Sequence, residues 1–317
     1  MTLETHVAKS SGTRVRQTLA RVTAAALTAA LAATGTSAFA ADDSGPTFKP
    51  LKPSASASHK STFTGSTAGT AAEDAQINAL YGVDNNGDLY AYVPNGTGGL
   101  EAREYAGKGW QDTPILTQAD HDNDGWADGL WHVTYGDLYS YRDVDLTHVK
   151  VGWGYDIYDK LFSAGDVGGA AADDLLARDK SGVLWLYLGY GDGRVTSRIK
   201  IGAGWNAYTQ ITGKGDLTND GHDDIVARDK YGVLWLYQGT GSYKAPFKPR
   251  TKIGAGWNMF NYLISVGDID LDGTTDLVAR DTAGALWLYK GTGSAAAPYK
   301  PRVQIGTGGW NTYRVMF

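Results

Sequence analysis

Residues 267–289 read GDIDLDGTTDLVARDTAGALWLY, and the parts of this stretch recur along the chain. The closing tetrapeptide LWLY also begins at Leu184 and Leu234, and related tetrapeptides begin at Leu89 (LYAY) and Leu138 (LYSY). In chain order these five segments start 49, 46, 50 and 52 residues apart. The C-terminal part of the chain therefore consists of five repeats of about fifty residues.

Each repeat reads as four short strands. In the last repeat, NYLISVG leads into an acidic loop, DLVARD follows, and ALWLYKG and PRVQIG complete the unit. These segments are rich in Val, Leu, Ile, Tyr and Trp and are bounded by Gly and Asp, which is typical of strands and hairpins. Four strands repeated at this period are typical of a β-propeller blade. The sequence predicts an all-β fold, a propeller of five four-stranded blades, over residues 76–317.

The two ends of the repeat region complement each other. The chain stops seven residues after Trp310, with NTYRVMF, which matches the segment that begins a repeat. The first repeat, QINALYGVD from Gln76, begins near the strand that follows an acidic loop. We expect residues 313–317 to supply the first strand of the first blade, because ring closure removes the exposed edges of an open sheet.

The N-terminal quarter has a different composition. In residues 1–40, three arginines precede an alanine-rich apolar run, and AFA at 38–40 precedes a cleavage site, which together predict a secretory signal peptide. Residues 41–75 are rich in Ser, Thr, Ala, Gly and Pro and predict a flexible leader. We expect a secreted, extracellular protein without membrane insertion, since no later segment approaches ~18 consecutive apolar residues.

Charge and cysteine content narrow the function classes. The net charge is −5, and the basic residues of the signal peptide leave the rest still more acidic, which argues against a nucleic-acid partner. The chain has no cysteine, so disulfides cannot stabilise it. Stability must come from the core, from backbone pairing or from bound ions, and we expect a monomer.

The acidic loops share the pattern D-x-D-x-D-G-x-x-D. Two loops match it fully, one has Thr at the third position, and the members are Asp120, Asp122, Asp124 and Asp128; Asp268, Asp270, Asp272 and Asp276; and Asp216, Thr218, Asp220 and Asp224. A fourth copy keeps only Asp166 and Asp174. The pattern opens like an EF-hand loop but lacks the glutamate at position 12.

Converging carboxylates repel one another unless a cation lies among them. Oxygen ligands in a loop with a glycine turn suit Ca²⁺, and backbone carbonyls at position 7, from Trp126, His222 and Thr274, would complete the coordination. The alternative is a solvated acidic turn, because Asp and Gly are common in turns. The sequence predicts structural calcium in three loops and no ion in the loop of Asp166.

These loops, the ARD-x-x-G turns and the LWLY strands resemble the FG-GAP/VCBS repeat family. Its propellers occur in integrin α-chains, fungal lectins and secreted actinobacterial proteins, the last being the type that this chain resembles. The resemblance covers residues 76–317 and implies a propeller, calcium and a binding role, but it specifies no ligand.

Repeated aromatic and basic residues form three further sets. We expect the strand tryptophans to pack between blades and the ARD arginines to form ion pairs between blades; these are Trp185, Trp235 and Trp287, and Arg178, Arg228 and Arg280. The tryptophans of the Gly-Trp pairs admit two interpretations, packing or glycan-binding pockets: Trp110, Trp153, Trp205, Trp257 and Trp310.

The sequence contains no recognisable catalytic motif, so we predict no catalytic residue and no enzymatic activity. The leading hypothesis is a secreted, calcium-stabilised module that binds glycan or protein at the cell surface or in the medium. A second is a protein-interaction factor that modulates an extracellular protease or serves as a transglutaminase substrate, through Lys49, Lys52, Lys60 and Gln76. A hydrolase or lyase on a propeller scaffold is the third.

Overall fold

The computed structural model describes residues 45–51, 75–143, 146–170 and 172–317, so the predicted signal peptide and most of the predicted leader lie outside the described residues. Within these ranges, twenty strands form five antiparallel four-stranded sheets. In chain order the strands are β1 Leu80–Asp84, β2 Leu89–Tyr92, β3 Glu104–Gly107, β4 Ile115–Ala119, β5 Gly129–Thr134, β6 Asp137–Arg142, β7 His148–Trp153, β8 Tyr158–Gly165, β9 Asp174–Asp179, β10 Leu184–Tyr187, β11 Ile199–Gly202, β12 Tyr208–Thr212, β13 Ile225–Asp229, β14 Leu234–Tyr237, β15 Thr251–Gly254, β16 Phe260–Ile264, β17 Leu277–Asp281, β18 Leu286–Tyr289, β19 Val303–Gly306 and β20 Tyr313–Met316.

Each sheet is one blade of a five-bladed propeller, which confirms the predicted fold. Blade 1 has the strand order β20-β1-β2-β3, and blades 2 to 5 take β4–β7, β8–β11, β12–β15 and β16–β19. The first strand of every blade lines one central cavity, to which Thr117, Phe162, Thr212, Ile264 and Met316 contribute. The first strands are therefore innermost, and the fourth strands lie at the rim.

The C-terminal strand closes the ring, as predicted. β20 pairs with β1 in antiparallel register, with Val83 opposite Val315. Tyr81 N–H donates to the Phe317 carbonyl at 2.9 Å, and Phe317 N–H donates to the Tyr81 carbonyl at 3.1 Å. The Tyr81 and Phe317 rings stack with centroids 5.4 Å apart. Blade 1 thus combines both ends of the repeat region.

The ARD-x-x-G turns are hairpins fixed by their aspartates. The carboxylate of Asp179 accepts the Val183 N–H at 3.0 Å and the indole N–H of Trp185 at 2.8 Å, while Gly182 takes a φ of 83° that favours glycine. Asp229 and Asp281 accept the indole N–H of Trp235 and Trp287 in the same way, at 3.0 and 2.9 Å. These three tryptophans are partly buried between blades, in line with the packing expected for them.

The ARD arginines join neighbouring blades, but through carbonyl groups. The guanidinium of Arg280 donates to the carbonyls of Trp310 at 2.8 Å and Tyr313 at 2.9 Å. In the same way Arg178 reaches the carbonyls of Trp205 and Tyr208, and Arg228 those of Trp257 and Phe260.

The prediction that these arginines form ion pairs between blades is therefore wrong, because their partners in the neighbouring blade are carbonyl groups. Arg178 does pair with a carboxylate, Asp159 at 2.8 Å, but that residue belongs to the same blade. The other two arginines bond Thr209 Oγ1 and Asn261 Oδ1 at the equivalent position, which carries no charge. Carbonyls take the inter-blade role because they lie in the turn that precedes the next inner strand.

Two segments before β1 contact the propeller. Residues 45–51 pair with the edge of β3, whereas the sequence predicted a flexible leader over residues 41–75. Gln76 is 8% exposed, and its amide nitrogen donates to Asp173 at 3.0 Å. Gln76 therefore does not offer its side chain to a transglutaminase. Among the described residues, no helix has the length and apolar character needed to span a membrane.

Deletion of residues 313–317 should abolish cooperative unfolding. The deletion removes the strand that closes the ring and three buried apolar side chains, Val315, Met316 and Phe317, whose burial is worth about 1.5–3 kcal/mol each. Thermal unfolding followed by circular dichroism measures the effect. An unchanged, single sharp transition in the truncated chain would contradict closure by β20.

Candidate functional site

The four acidic loops connect the first strand of a blade to its second strand, in blades 2 to 5. They therefore lie at one end of the propeller. In blade 1 this place is taken by the segment before β1: Ile77 N–H donates to the Gly125 carbonyl at 2.9 Å, and Asp268 N–H donates to the Gln76 carbonyl at 2.7 Å. The segment before β1 thus joins the loops of blades 2 and 5.

The first aspartate of each loop organises the turn that follows it. Asp268 accepts the N–H of Gly273 at 2.7 Å, and Asp120 and Asp216 accept the equivalent glycine N–H at 2.9 and 2.7 Å. The turn needs positive φ at the fourth and sixth positions, for example 60° at Leu271 and 87° at Gly273. The glycine of the pattern serves this geometry.

The aspartate at position 9 ties the loop to the third strand of its blade. Asp276 accepts the N–H of Gly291 at 2.8 Å and that of Ile269 at 3.0 Å. Asp224 repeats both bonds. In the blade-3 loop, Asp174 accepts the equivalent N–H of Gly189, and its second bond comes from Gly168 at position 3. The sequence assigned this aspartate to the ion alone, so its role in fixing the loop is a finding of the structure.

Burial makes the ionised forms of these carboxylates unfavourable. Desolvation, assisted by the charges of Asp270 and Asp272, raises the pKa of Asp268 to about 7. Desolvation also raises the pKa of Asp276 and Asp128 to about 7, and that of Asp120 to about 6. A bound cation would favour the ionised forms and remove this cost.

Two loops bring three carboxylates together as a cation requires. One oxygen from each of Asp120, Asp122 and Asp124 lies within 4.8 Å of the others, and the same holds for Asp268, Asp270 and Asp276. In blade 5, Asp270 Oδ1 is buried and has no hydrogen-bond partner among the described residues. The loops of blades 2 and 5 therefore fit Ca²⁺. Coordination of the ion by the backbone carbonyls of Trp126, His222 and Thr274 stays a prediction.

The blade-4 loop is arranged differently. Among the described residues its carboxylates form no such group. Asp220 instead pairs with Lys248 at 2.6 Å and accepts a hydrogen bond from Gln238 at 3.2 Å. Calcium bound by Asp216, Thr218, Asp220 and Asp224 stays a prediction.

Lysines pair with the loop acids of blades 4 and 5. In blade 5, Lys290 pairs with Asp270 at 2.6 Å and Lys300 with Asp272 at 3.0 Å. The equivalents of these two lysines in blade 3, where the acids are missing, are Leu188 and Thr196. The sequence pointed to cations alone as counter-charges, and side-chain ammonium groups share this role.

The tryptophans of the Gly-Trp pairs fall into two groups. Four are buried, with exposed fractions of 9% or less: Trp110, Trp205, Trp257 and Trp310. Trp153 is 81% exposed at the end of β7. A 3₁₀ turn begins at Gly204-Trp205 in the next blade. The equivalent turn here begins at Gly154-Tyr155, two residues after Gly152-Trp153, so Trp153 lies outside the turn.

Trp153 borders an open cleft between blades 2 and 3. Tyr158, Tyr187 and Arg198 line the same cleft. The two tyrosine hydroxyls are 2.5 Å apart, and the guanidinium of Arg198 donates to Tyr158 Oη at 3.3 Å. Arg198 also lies over the Trp185 ring, 4.2 Å from its centroid. The cleft combines aromatic faces with hydroxyl and guanidinium donors.

Two other clefts repeat the arginine and the hydroxyl pair, but Ala203 and Gly308 stand at the position of the exposed Trp153. Between blades 3 and 4, the Tyr208 and Tyr237 hydroxyls are 2.6 Å apart and Arg250 lies 4.0 Å from the Trp235 centroid. Between blades 5 and 1, Tyr92, Tyr313 and Arg103 occupy the same positions. Between blades 4 and 5, Phe260 replaces the inner tyrosine, so this cleft lacks the hydroxyl pair.

Comparison with known proteins supports the repeat assignment. The model of the FG-GAP-like repeat family matches residues 216–279, which run from the blade-4 loop to the second strand of blade 5. The resemblance to FG-GAP repeats is thereby confirmed, and the five-bladed ring fits it. A search of curated protein sequences gave no match.

The solved structures that match this chain are only distantly similar to it. Prp20p from Saccharomyces cerevisiae is 11% identical with a TM-score of 0.38, and the alignment covers 74% of this chain and 64% of that one. The BP39L lectin from Burkholderia pseudomallei is 15% identical with a TM-score of 0.41, covering 75% and 71%. A triple arginine-to-alanine mutant of AofleA from Arthrobotrys oligospora is 12% identical with a TM-score of 0.43, covering 73% and 69%. Similarities of this size do not indicate a function.

Calcium should raise the melting temperature relative to a chelator. A free calcium concentration of a hundred times the Kd of one site adds about 2.7 kcal/mol to the free energy of unfolding. Asp122→Asn and Asp270→Asn should each reduce the gain, and the double variant should remove most of it. Asp166→Asn, in the loop without the acidic set, is the matched control and should keep the full gain. Equal melting temperatures in calcium and chelator would refute the calcium sites.

Without cations, stability should fall as the pH rises from about 4 to about 7. The unfolded chain releases its aspartate protons near pH 4, whereas Asp128, Asp268 and Asp276 hold theirs up to about pH 7 in the folded state. The folded state thus binds more protons in this window, and rising pH favours unfolding.

Saturating calcium should reduce this fall, because the ion keeps Asp128, Asp268 and Asp276 ionised in the folded state. A smaller fall should remain, because burial also raises the pKa of Asp174 to about 7 in the loop without an ion. Denaturant unfolding at a series of pH values, with chelator and with calcium, measures both curves. Parallel curves in the two series would mean that the loop carboxylates do not bind the ion.

Proposed function

From a five-bladed propeller with an FG-GAP-like repeat, we propose a secreted, calcium-stabilised module that binds glycans at the cell surface or in the medium. The observation that carries the proposal is the cleft between blades 2 and 3. There an indole that is 81% exposed lines the same cleft as a hydroxyl pair and a guanidinium. Tryptophan is highly buried on average, so an indole this exposed has its apolar face available to a ligand.

The chemistry of the cleft suits a sugar ring. The apolar C–H face of a pyranose can stack on the Trp153 indole, as aromatic faces bind other apolar surfaces. Its hydroxyl groups can bond to the oxygens of Tyr158 and Tyr187, and the Arg198 guanidinium supplies donors only. Few polar groups at fixed positions within a mainly apolar wall are typical of small-ligand sites.

Repetition around the ring would strengthen binding to repeated glycans. Three clefts share the arginine and hydroxyl pair, those between blades 2 and 3, 3 and 4, and 5 and 1. Weak sites on one rigid scaffold reach a higher overall affinity when the ligand presents several copies. Calcium has a structural role in this proposal, and no catalytic step is assigned to the ring.

A second candidate function is a protein-interaction factor that acts on an extracellular protein such as a protease. The pairing of residues 45–51 with β3 favours it, because a rim of this propeller accepts an extended peptide. Lys49 is the leader lysine within the described residues, and its side chain is 67% exposed. A stoichiometric protease partner recovered with the protein from culture medium would support this function over glycan binding.

A glycan array with and without chelator tests the leading proposal. Binding of at least one glycan class should weaken about tenfold or more in Trp153→Ala and in Arg198→Ala, since each loses roughly 1.4 kcal/mol of contact energy. The matched control is Tyr231→Ala, which removes a 75% exposed aromatic from a hairpin turn outside the clefts. No binding across a broad array would reject the glycan function.

A further inference from the structure

Residues 45–51 lie along the rim of blade 1 and bond to it through two backbone N–H groups. Thr47 N–H donates to the Lys108 carbonyl at 2.8 Å, and Lys49 N–H donates to the Ala106 carbonyl at 2.7 Å. The Lys108 N–H donates in turn to Thr47 Oγ1 at 3.0 Å. An extended peptide that adds a strand to an open sheet edge is a common mode of peptide recognition.

The side chain between these two backbone contacts is an apolar anchor. Phe48 is 8% exposed and packs in the cleft between blades 1 and 2. Its ring lies 5.5 Å from that of Tyr81 and 5.3 Å from that of Tyr141, the latter edge-on. A buried aromatic side chain in a cleft is the usual centre of binding energy at an interface.

Polar groups of the propeller satisfy the backbone of the segment. The indole N–H of Trp110 donates to the Thr47 carbonyl at 2.8 Å, and the Tyr141 hydroxyl donates to the Phe48 carbonyl at 3.2 Å. Leu51 N–H donates to Tyr81 Oη at 3.0 Å. Residues 52–74 separate the segment from Gln76 and β1, so a ligand on another chain could make the same contacts.

The cleft between blades 1 and 2 departs from the other four in the residues that meet the peptide. The inner tyrosine of the repeated clefts is Thr113 here, and the rim arginine is His148. In blade 3 the hydroxyl of Tyr187 bonds to that of Tyr158. The equivalent Tyr141 has no such tyrosine opposite, and its hydroxyl bonds to the peptide carbonyl instead.

We infer that the cleft between blades 1 and 2 is a peptide-recognition site and that residues 45–51 occupy it as a built-in competitor. Its partner is an extended segment of another protein with an aromatic side chain at the position of Phe48. The partner pairs with the edge of β3 and places its aromatic ring between Tyr81 and Tyr141. The site is separate from the clefts of the glycan proposal and does not depend on that function.

The test uses the full chain with a protease recognition sequence inserted between His59 and Lys60. After cleavage, the N-terminal fragment should stay bound to the propeller in gel filtration at micromolar concentration. An excess of the labelled peptide GPTFKPL, which copies residues 45–51, should displace it and bind in its place. Chains with Phe48→Ala should lose the fragment on cleavage.

Peptide variants separate recognition from unspecific adhesion. GPTAKPL, which lacks the anchor, should bind at least about tenfold more weakly than GPTFKPL. GPTFAPL, which loses only the 3.9 Å pair between Lys49 and Glu104, is the matched control and should bind within about threefold, because exposed ion pairs contribute little. The labelled peptide should also bind to the uncut Phe48→Ala chain and not to the uncut wild type.

Three results would overturn the inference. The cut fragment could separate from a propeller that keeps its folded circular dichroism spectrum while the labelled peptide fails to bind it. The propeller could unfold when the fragment leaves, which would make residues 45–51 an integral strand of the fold. The opened cleft could bind a glycan and no peptide, which would make the occupant a sugar.

Discussion

Guanidinium groups at four blade junctions, three of them buried and one partly buried, are the interaction on which the ring depends. Arg178, Arg228 and Arg280 extend from the second strand of one blade to two carbonyls of the next. At the junction of blades 1 and 2, Arg314 of the inner strand takes this role and donates to the Trp110 and Thr113 carbonyls. Burial lowers the pKa of Arg280, as expected for a charge removed from water.

A buried charge without partners is costly, so each arginine requires the next blade to be in place. Its carbonyl acceptors lie where the chain enters the inner strand, which fixes where each blade begins. The same turn buries a tryptophan in four junctions, and the wall beside it carries the arginine and tyrosine hydroxyls of the clefts. At the junctions of blades 3 and 4 and of blades 5 and 1, the turn that joins the blades therefore also lies beside a candidate glycan cleft. The cleft of Trp153 lies at the remaining junction, between blades 2 and 3, where Tyr155 takes the place of the turn tryptophan. Bound calcium would stabilise the connections at the opposite ends of the same strands.

Much of this architecture follows from the sequence because it repeats. The LWLY strands and the spacing of the acidic loops predict five blades, and the match between NTYRVMF and the other inner strands predicts closure by residues 313–317. Repetition failed where one blade differs. Gly152-Trp153 resembles the other Gly-Trp pairs, but Tyr155 stands three residues before Tyr158, as Trp205 stands before Tyr208. Counting three residues back from the start of the inner strand identifies Tyr155, and not Trp153, as the equivalent of Trp205.

Other features depend on contacts that no local pattern encodes. Residues 45–51 carry no strand period, and the edge of β3 and the Tyr81 and Tyr141 rings create their conformation. The lysines opposite the acidic loops were detectable, since Lys248 and Lys300 recur one repeat apart and give way to Thr196 beside the loop that lost its acids.

A crystal structure in calcium tests the loops most directly. If the acidic loops bind calcium, anomalous calcium peaks should appear in the loops of blades 2 and 5 and none in blade 3. Empty loops in blades 2 and 5 would contradict calcium binding there.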